Sequence, residues 1–256
     1  MKKYLINIIT LCFCGWLLGQ TSTPMVTIKG GSYVPLYGVK GENKATKPVN
    51  VKSFQLDIYP VTNAQYKAFL EKHPEWQRSR VKGIFAQKSY LSHWKSDLEF
   101  SPLEAQAPVT HISWFAAKKY CECEGKRLPT TDEWEYVAQA DAQSIDARKK
   151  KHYQEYIVRS MQTPKTYLQK VGSTPKNYWG VYDMHGLVWE WVSDFNSVLL
   201  SGDSRKDKQG DDALFCGGSA LNASDLTNYA AFMRYALRGS LKANYTMLNM
   251  GFRCAL

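Results

Sequence analysis

The chain has 256 residues, of which 44% are hydrophobic, 22% charged and 13% aromatic, with 17 glycines and 10 prolines. Those proportions exclude a disordered tail, a collagen-like repeat and a coiled coil. Lys and Arg number 33 against 23 Asp and Glu, a formal charge of +10, and with a mean hydropathy of −0.41 the bulk of the chain reads as soluble and basic.

Lys2 and Lys3 precede a mostly apolar run from Leu5 to Leu18, too short to span a bilayer comfortably as a helix. This is the pattern of a secretory signal peptide, residues 1–19, with cleavage expected near Gly19. Cys12 and Cys14 follow Leu11 and Phe13, whereas a lipoprotein signal needs a small residue before its cysteine. An exported protein with no lipid anchor is therefore expected, in the periplasm or secreted. The mature chain, residues 20–256, carries +8 after loss of Lys2 and Lys3. Export and the lack of any recognition motif both argue against nucleic acid. Of six cysteines, Cys121, Cys123, Cys216 and Cys254 remain, which permits two disulfides in three pairings.

Met25–Ser32 alternates like a strand ending in a glycine turn, and Phe54–Tyr59 reads as another. Thr62 is placed to cap a helix that buries Tyr66, Phe69 and Leu70. Residues 76–108 are irregular and aromatic. A second helix is expected over 113–124, with Ser113 as cap, Trp114, Ala117, Tyr120 and Cys121 inward, and Gly125 ending it. In GKRLPTTDEWEY, Thr130 or Thr131 caps a helix whose first turn holds Asp132 and Glu133, where the helix dipole favours acids. Residues 147–160 read as a further helix carrying Arg148-Lys149-Lys150-Lys151, either a solvated face or a docking patch. From Val171 onward, short strands and long loops with little helix are expected. No repeat, linker or composition break divides residues 20–256, so one domain is expected.

Several segments, in order, resemble the formylglycine-generating enzyme or sulfatase-modifying-factor family: MVTIKGGSY, YPVTNAQYKAF, APVTHISWFAAKKYC, GKRLPTTDEWEY, NYWGVYDMHGLVWEWVSD, CGGS and NMGFRC. The resemblance spans nearly the whole mature chain. It implies an α+β fold, the family's loop-rich variant of the C-type lectin fold with few regular elements. Family enzymes oxidise a protein cysteine to formylglycine with O2 and a copper ion held by two thiolates, a pairing that suits soft Cu(I). Their thiols follow the Gly-Gly-Ser turn in a pattern like GGSxxCxxxxC. Here Asn222 and Thr227 stand at the two positions, and neither offers a thiolate. The histidines His73, His93, His111, His152 and His185 lack the His-x3-His-x-Glu spacing of the superfamily's iron enzymes.

The resemblance also assigns positions. Cys121 and Cys254 match a family disulfide, worth about 2 to 4 kcal/mol through closure of a long loop. A second family disulfide is absent, with Ala138 and Tyr235 in its place. Cys123 and Cys216 are left as a second disulfide, two free thiols or a soft-metal pair for copper. Gly186–Glu190 resembles a calcium loop, with the Glu190 side chain and the carbonyls of His185, Gly186 and Val188 as ligands; the alternative is a Trp-Glu-Trp turn buried for packing. Trp189, Ser219, Asn222, Arg234 and Arg238 fall at groove positions, where Arg238 either grips a peptide or braces the Gly-Phe-Arg strand.

Three functions follow from the resemblance. The expected one is a non-catalytic domain that binds or matures an exported protein or peptide partner. A narrower form rests on similarity to the NirV-like branch, small exported members that accompany copper nitrite reductase. The alternatives are an oxidoreductase acting on a protein or peptide cysteine by formylglycine-generating or other metal chemistry, and a structural component of a secretion or motility assembly.

Overall fold

The computed structural model describes residues 23–35, 47–162, 166–196 and 226–256. The first strand of the sequence reading is two, broken at Gly30: β1 (Met25–Ile28) and β2 (Gly31–Tyr33). A side chain at Gly30 would put its Cβ 2.5 Å from the Val51 carbonyl oxygen, so only glycine fits the turn. β1 pairs antiparallel with β4 (Phe54–Asp57), Ile28 opposite Phe54, and β2 pairs antiparallel with β3 (Val49–Val51).

Thr62 caps α1 (Asn63–Lys72) in a full capping box with Gln65, and Tyr66, Phe69 and Leu70 are buried as expected. Ser113 caps α2 (Trp114–Cys123) through the Ala116 N–H. Ala117, Tyr120 and Cys121 are buried on that helix, while Trp114 is half-buried and donates its indole N–H to the Val192 carbonyl at 2.9 Å. Gly125, at φ +68°, turns the chain out of it. Thr130 caps α3 (Thr131–Ala138), again reciprocally with Glu133. Glu133 also receives both Arg127 amines at 2.7 Å, which locks Lys126-Arg127-Leu128-Pro129 against the helix start.

Two expectations are corrected here. α4 spans Lys151–Gln162, so most of the basic run precedes it. Arg148 pairs with Asp146 at 2.6 Å and Lys150 with Asp141 at 2.7 Å; these local bonds hold the segment in a loop. And the stretch after Val171 is not poor in helix: α5 (Leu226–Ser240) is 15 residues long, built from strong helix formers that its glycine-rich surroundings obscured.

β5 (Trp189–Glu190) pairs parallel with β6 (Met250–Gly251). Residues 252–256 then thread between earlier segments. Val61 N–H bonds the Phe252 carbonyl, Asp57 N–H that of Cys254, and Ala255 exchanges both backbone bonds with Arg127. Phe252, Cys254 and Ala255 are fully buried. A disulfide joins Cys254 to Cys121 with Cα atoms 5.6 Å apart, 133 positions along the chain. Around this thread Tyr66 stacks on Tyr120 at 5.8 Å and meets Phe252 edge-on, so the aromatic load serves the core. Among the described residues no helix is long and apolar enough to cross a membrane.

Candidate functional site

The sequence places Trp134 and Glu135 side by side in α3, one turn after its cap. Helical geometry then aims them at different neighbours. The Trp134 indole N–H donates to Glu190 Oε2 at 2.8 Å. Glu190 takes Arg253 Nη2 at 2.8 Å and Arg253 Nε at 3.1 and 2.9 Å on its two oxygens. Arg253 spends its remaining donors on the carbonyls of Asp57, Ile58 and Tyr182, and this pair is fully buried.

Glu135 faces α5, where Arg234 and Arg238 lie four residues apart on one face. It accepts Arg234 Nη2 at 2.7 Å and Nε at 2.9 Å, and Arg238 Nη1 at 2.8 Å. Both guanidinium groups also sit over the Trp134 ring, 5.5 and 4.8 Å from its centroid. Burial alone would raise the Glu135 carboxyl, but the two arginines outweigh it and hold it at about 2. One Glu135 charge meets two cations, and Arg234 Nη1 and Gln139 Oε1 have no partner among the described residues. Both residues border a narrow pocket of about 10 Å³ that Tyr33, Arg148 and Tyr153 also line.

Of the sequence-predicted groove residues, the described ones are Trp189, Arg234 and Arg238, and both arginines are buried. Arg238 neither faces outward to a peptide nor braces the Gly251–Arg253 strand; with Arg234 it fastens α5 to α3, because a buried guanidinium requires a carboxylate. Trp189 is half-buried, with its backbone N–H on the Asn249 carbonyl at 2.8 Å. Ser219, Asn222 and Cys216 lie outside the described residues, as does the side chain of Thr227, whose backbone belongs to α5. Among the described residues Cys123 has no disulfide partner, and it is exposed.

The loop before β5 does not fit a calcium ion held through Glu190. Arg253 and the Trp134 N–H occupy both carboxylate oxygens, and a dication would have to share them with a buried guanidinium. The Tyr156 hydroxyl already bonds the His185 carbonyl at 3.3 Å, and Val188 is buried. Gly186 has φ +88°, and a Cβ there would meet the Ser160 Cβ at 2.9 Å, so this glycine serves a close approach to α4. His185 Nε2 lies 2.8 Å from the Ala138 carbonyl, which can only accept, so Nε2 carries the proton. Burial, aided by nearby Arg234, lowers this imidazole to about 4 and keeps it neutral. Among the described residues, no three His, Cys, Asp or Glu side chains converge as a metal site.

Sequence reasoning missed Glu135 as the hub. Its signal was present: two arginines at helical spacing in one segment, with an acid one residue beyond a tryptophan in another.

Comparison with known proteins follows the same outline. Residues 18–256 match the sulfatase-modifying factor enzyme 1-like domain. The serine/threonine-protein kinase Pkn1 of Chlamydia caviae is 33% identical over 68% of the chain, and the match spans only 28% of that protein's length. The inactive C-alpha-formylglycine-generating enzyme 2 of Bos taurus is 28% identical over 98% of the chain and 94% of its own length. PvdO from Pseudomonas aeruginosa superposes with a TM-score of 0.49 at 19% identity, over 92% of this chain and 95% of that one. On the match across residues 18–256, the chain belongs to the family of sulfatase-modifying factor enzyme 1-like domains.

Proposed function

We propose that this protein is an exported, non-catalytic binding domain that supports or matures a periplasmic or secreted protein partner. The observation that carries the reading is the pair Asn222 and Thr227 at the positions where the family's copper enzymes have thiolates. The α5 arginines add to it: both are buried and paired with Glu135 rather than presented outward to a substrate. The signal-like N-terminus and the Cys121–Cys254 bond suit an oxidising compartment.

The test is direct. Purified protein is incubated with a cysteine-bearing sulfatase peptide, Cu(I) and O2, and the peptide is weighed by mass spectrometry. No conversion is expected, and conversion by the native chain overturns the reading. The narrower form, support of a copper enzyme such as nitrite reductase, needs copper handling through Cys123 and Cys216. Copper titration of reduced protein must then give tighter binding than the Cys123→Ser, Cys216→Ser double variant; equal binding removes that form.

A further inference from the structure

A second cavity, of about 350 Å³, opens between the first turns of α4 and the loops at 140–143 and 175–185. Its volume lies in the range of small-molecule sites. No part of the Asn222 and Thr227 argument touches it, so it stands independently of the reading above.

The interior is aromatic and apolar. Tyr153, Tyr156 and His185 form one wall, each tyrosine ring edge-on to the imidazole with centroids 6.0 and 6.3 Å away. Both hydroxyls are spent on protein, Tyr153 on the Ala138 carbonyl and Tyr156 on the His185 carbonyl, so the tyrosines offer ring surface rather than polar tips. Pro175, Val181 and Met184 line it as well.

The mouth is charged, and the charges do not cancel. Asp141 is fully committed: Lys150 Nζ at 2.7 Å and His152 Nε2 at 3.2 Å on one oxygen, the Gln143 and Ser144 N–H groups and the Ser144 hydroxyl on the other. Lys176, exposed at the rim, has no hydrogen-bond or ion-pair partner among the described residues. The N-terminus of the 12-residue α4 brings its positive dipole end to the same place, since His152 and Tyr153 belong to its first turn and both line the cavity. An apolar, aromatic interior under a mouth with one uncompensated cation selects a particular ligand chemistry.

We propose that this cavity binds a small amphipathic carboxylate, its apolar body against Tyr153, Tyr156 and Met184 and its carboxylate at Lys176. Isothermal titration of the full chain with three probes of one shape tests this: 4-phenylbutyrate, 4-phenyl-1-butanol and 4-phenylbutylamine. The acid is expected to bind about threefold to fivefold more tightly than the alcohol, and the amine most weakly. Lys176→Glu, at an exposed position, removes that preference, and Ala142→Trp, at the exposed rim, blocks all three probes; circular dichroism confirms that both variants fold. Equal affinity for acid and alcohol overturns the charge assignment. Binding unchanged by Ala142→Trp, or no heat from the acid at about 10 mM, overturns the site.

Discussion

Two buried ionic joints meet at Trp134, and they are built to different standards. The Glu190–Arg253 joint is closed: one negative charge, one positive charge, the indole N–H, and a carbonyl for every remaining direction of the guanidinium. The Glu135 joint is open: one carboxylate against two guanidinium groups, with an orphan N–H on Arg234 and an orphan oxygen on Gln139. The closed joint ties strands and loops near the middle of the fold, whereas the open one fastens a single late helix. A buried ion pair stabilises a fold only when its neighbours finish the hydrogen bonding, and among the described residues only one of the two is finished.

The sharpest way to break the comparison is Arg253→Met, which strips Glu190 of its counter-charge and three carbonyls of their donor. A loss of about 5 kcal/mol or more is expected in urea unfolding, enough to prevent recovery of folded protein. Glu135→Gln leaves two buried cations without a carboxylate, and about 3 to 5 kcal/mol should go by the same measurement. Arg238→Met ought to cost far less, about 1 to 2 kcal/mol, because it turns the open joint into a one-to-one pair with Arg234 and keeps an apolar stem over Trp134. A cost for Arg238→Met equal to that of Glu135→Gln would mean that the two joints are equivalent after all.

Smaller effects follow the neighbours. His185 is neutral and buried, its folded pKa lowered to about 4 from an ordinary value near 6.5. The unfolded chain therefore binds the extra proton first. Stability is full above about pH 6.5 and falls as pH drops toward 4, at up to about 1.4 kcal/mol per pH unit. His93, also held at about 4 by burial and then by the adjacent His111, adds a similar slope. His185→Gln should remove one of the two, read as a shallower stability-against-pH curve. The smallest effect expected is none: EGTA should leave the melting temperature within about 1 °C, because Glu190 already has its partner. A drop on chelation would mean that Glu190 leaves Arg253 for a cation.

How much of this could be read beforehand divides by range. Caps were legible: Thr62, Ser113 and Thr130 act within three residues of themselves, and each closes its helix as the sequence indicated. The family and its loop-rich α+β fold were legible because spaced aromatic and glycine motifs survive divergence. Residue roles in the site were not. Whether Arg238 grips a ligand or a helix depends on Glu135, 103 positions away, and no local pattern encodes that distance. Helix α5 was missed for a local reason, since the glycines and aromatics around its helix formers read as loops and strands.

The thread formed by residues 250–256 has a consequence for how the protein comes to be folded. Its backbone completes the pairing of Gln55, Asp57, Val61 and Arg127, and its cysteine closes the Cys121 bond. The earlier segments therefore cannot settle while synthesis is still delivering this stretch. Assembly waits for a contact that spans almost two hundred positions, which makes the transition state non-local and the process slow relative to helical bundles. A chain of this design stays pliable until its last residues are available, and acquires its shape only then.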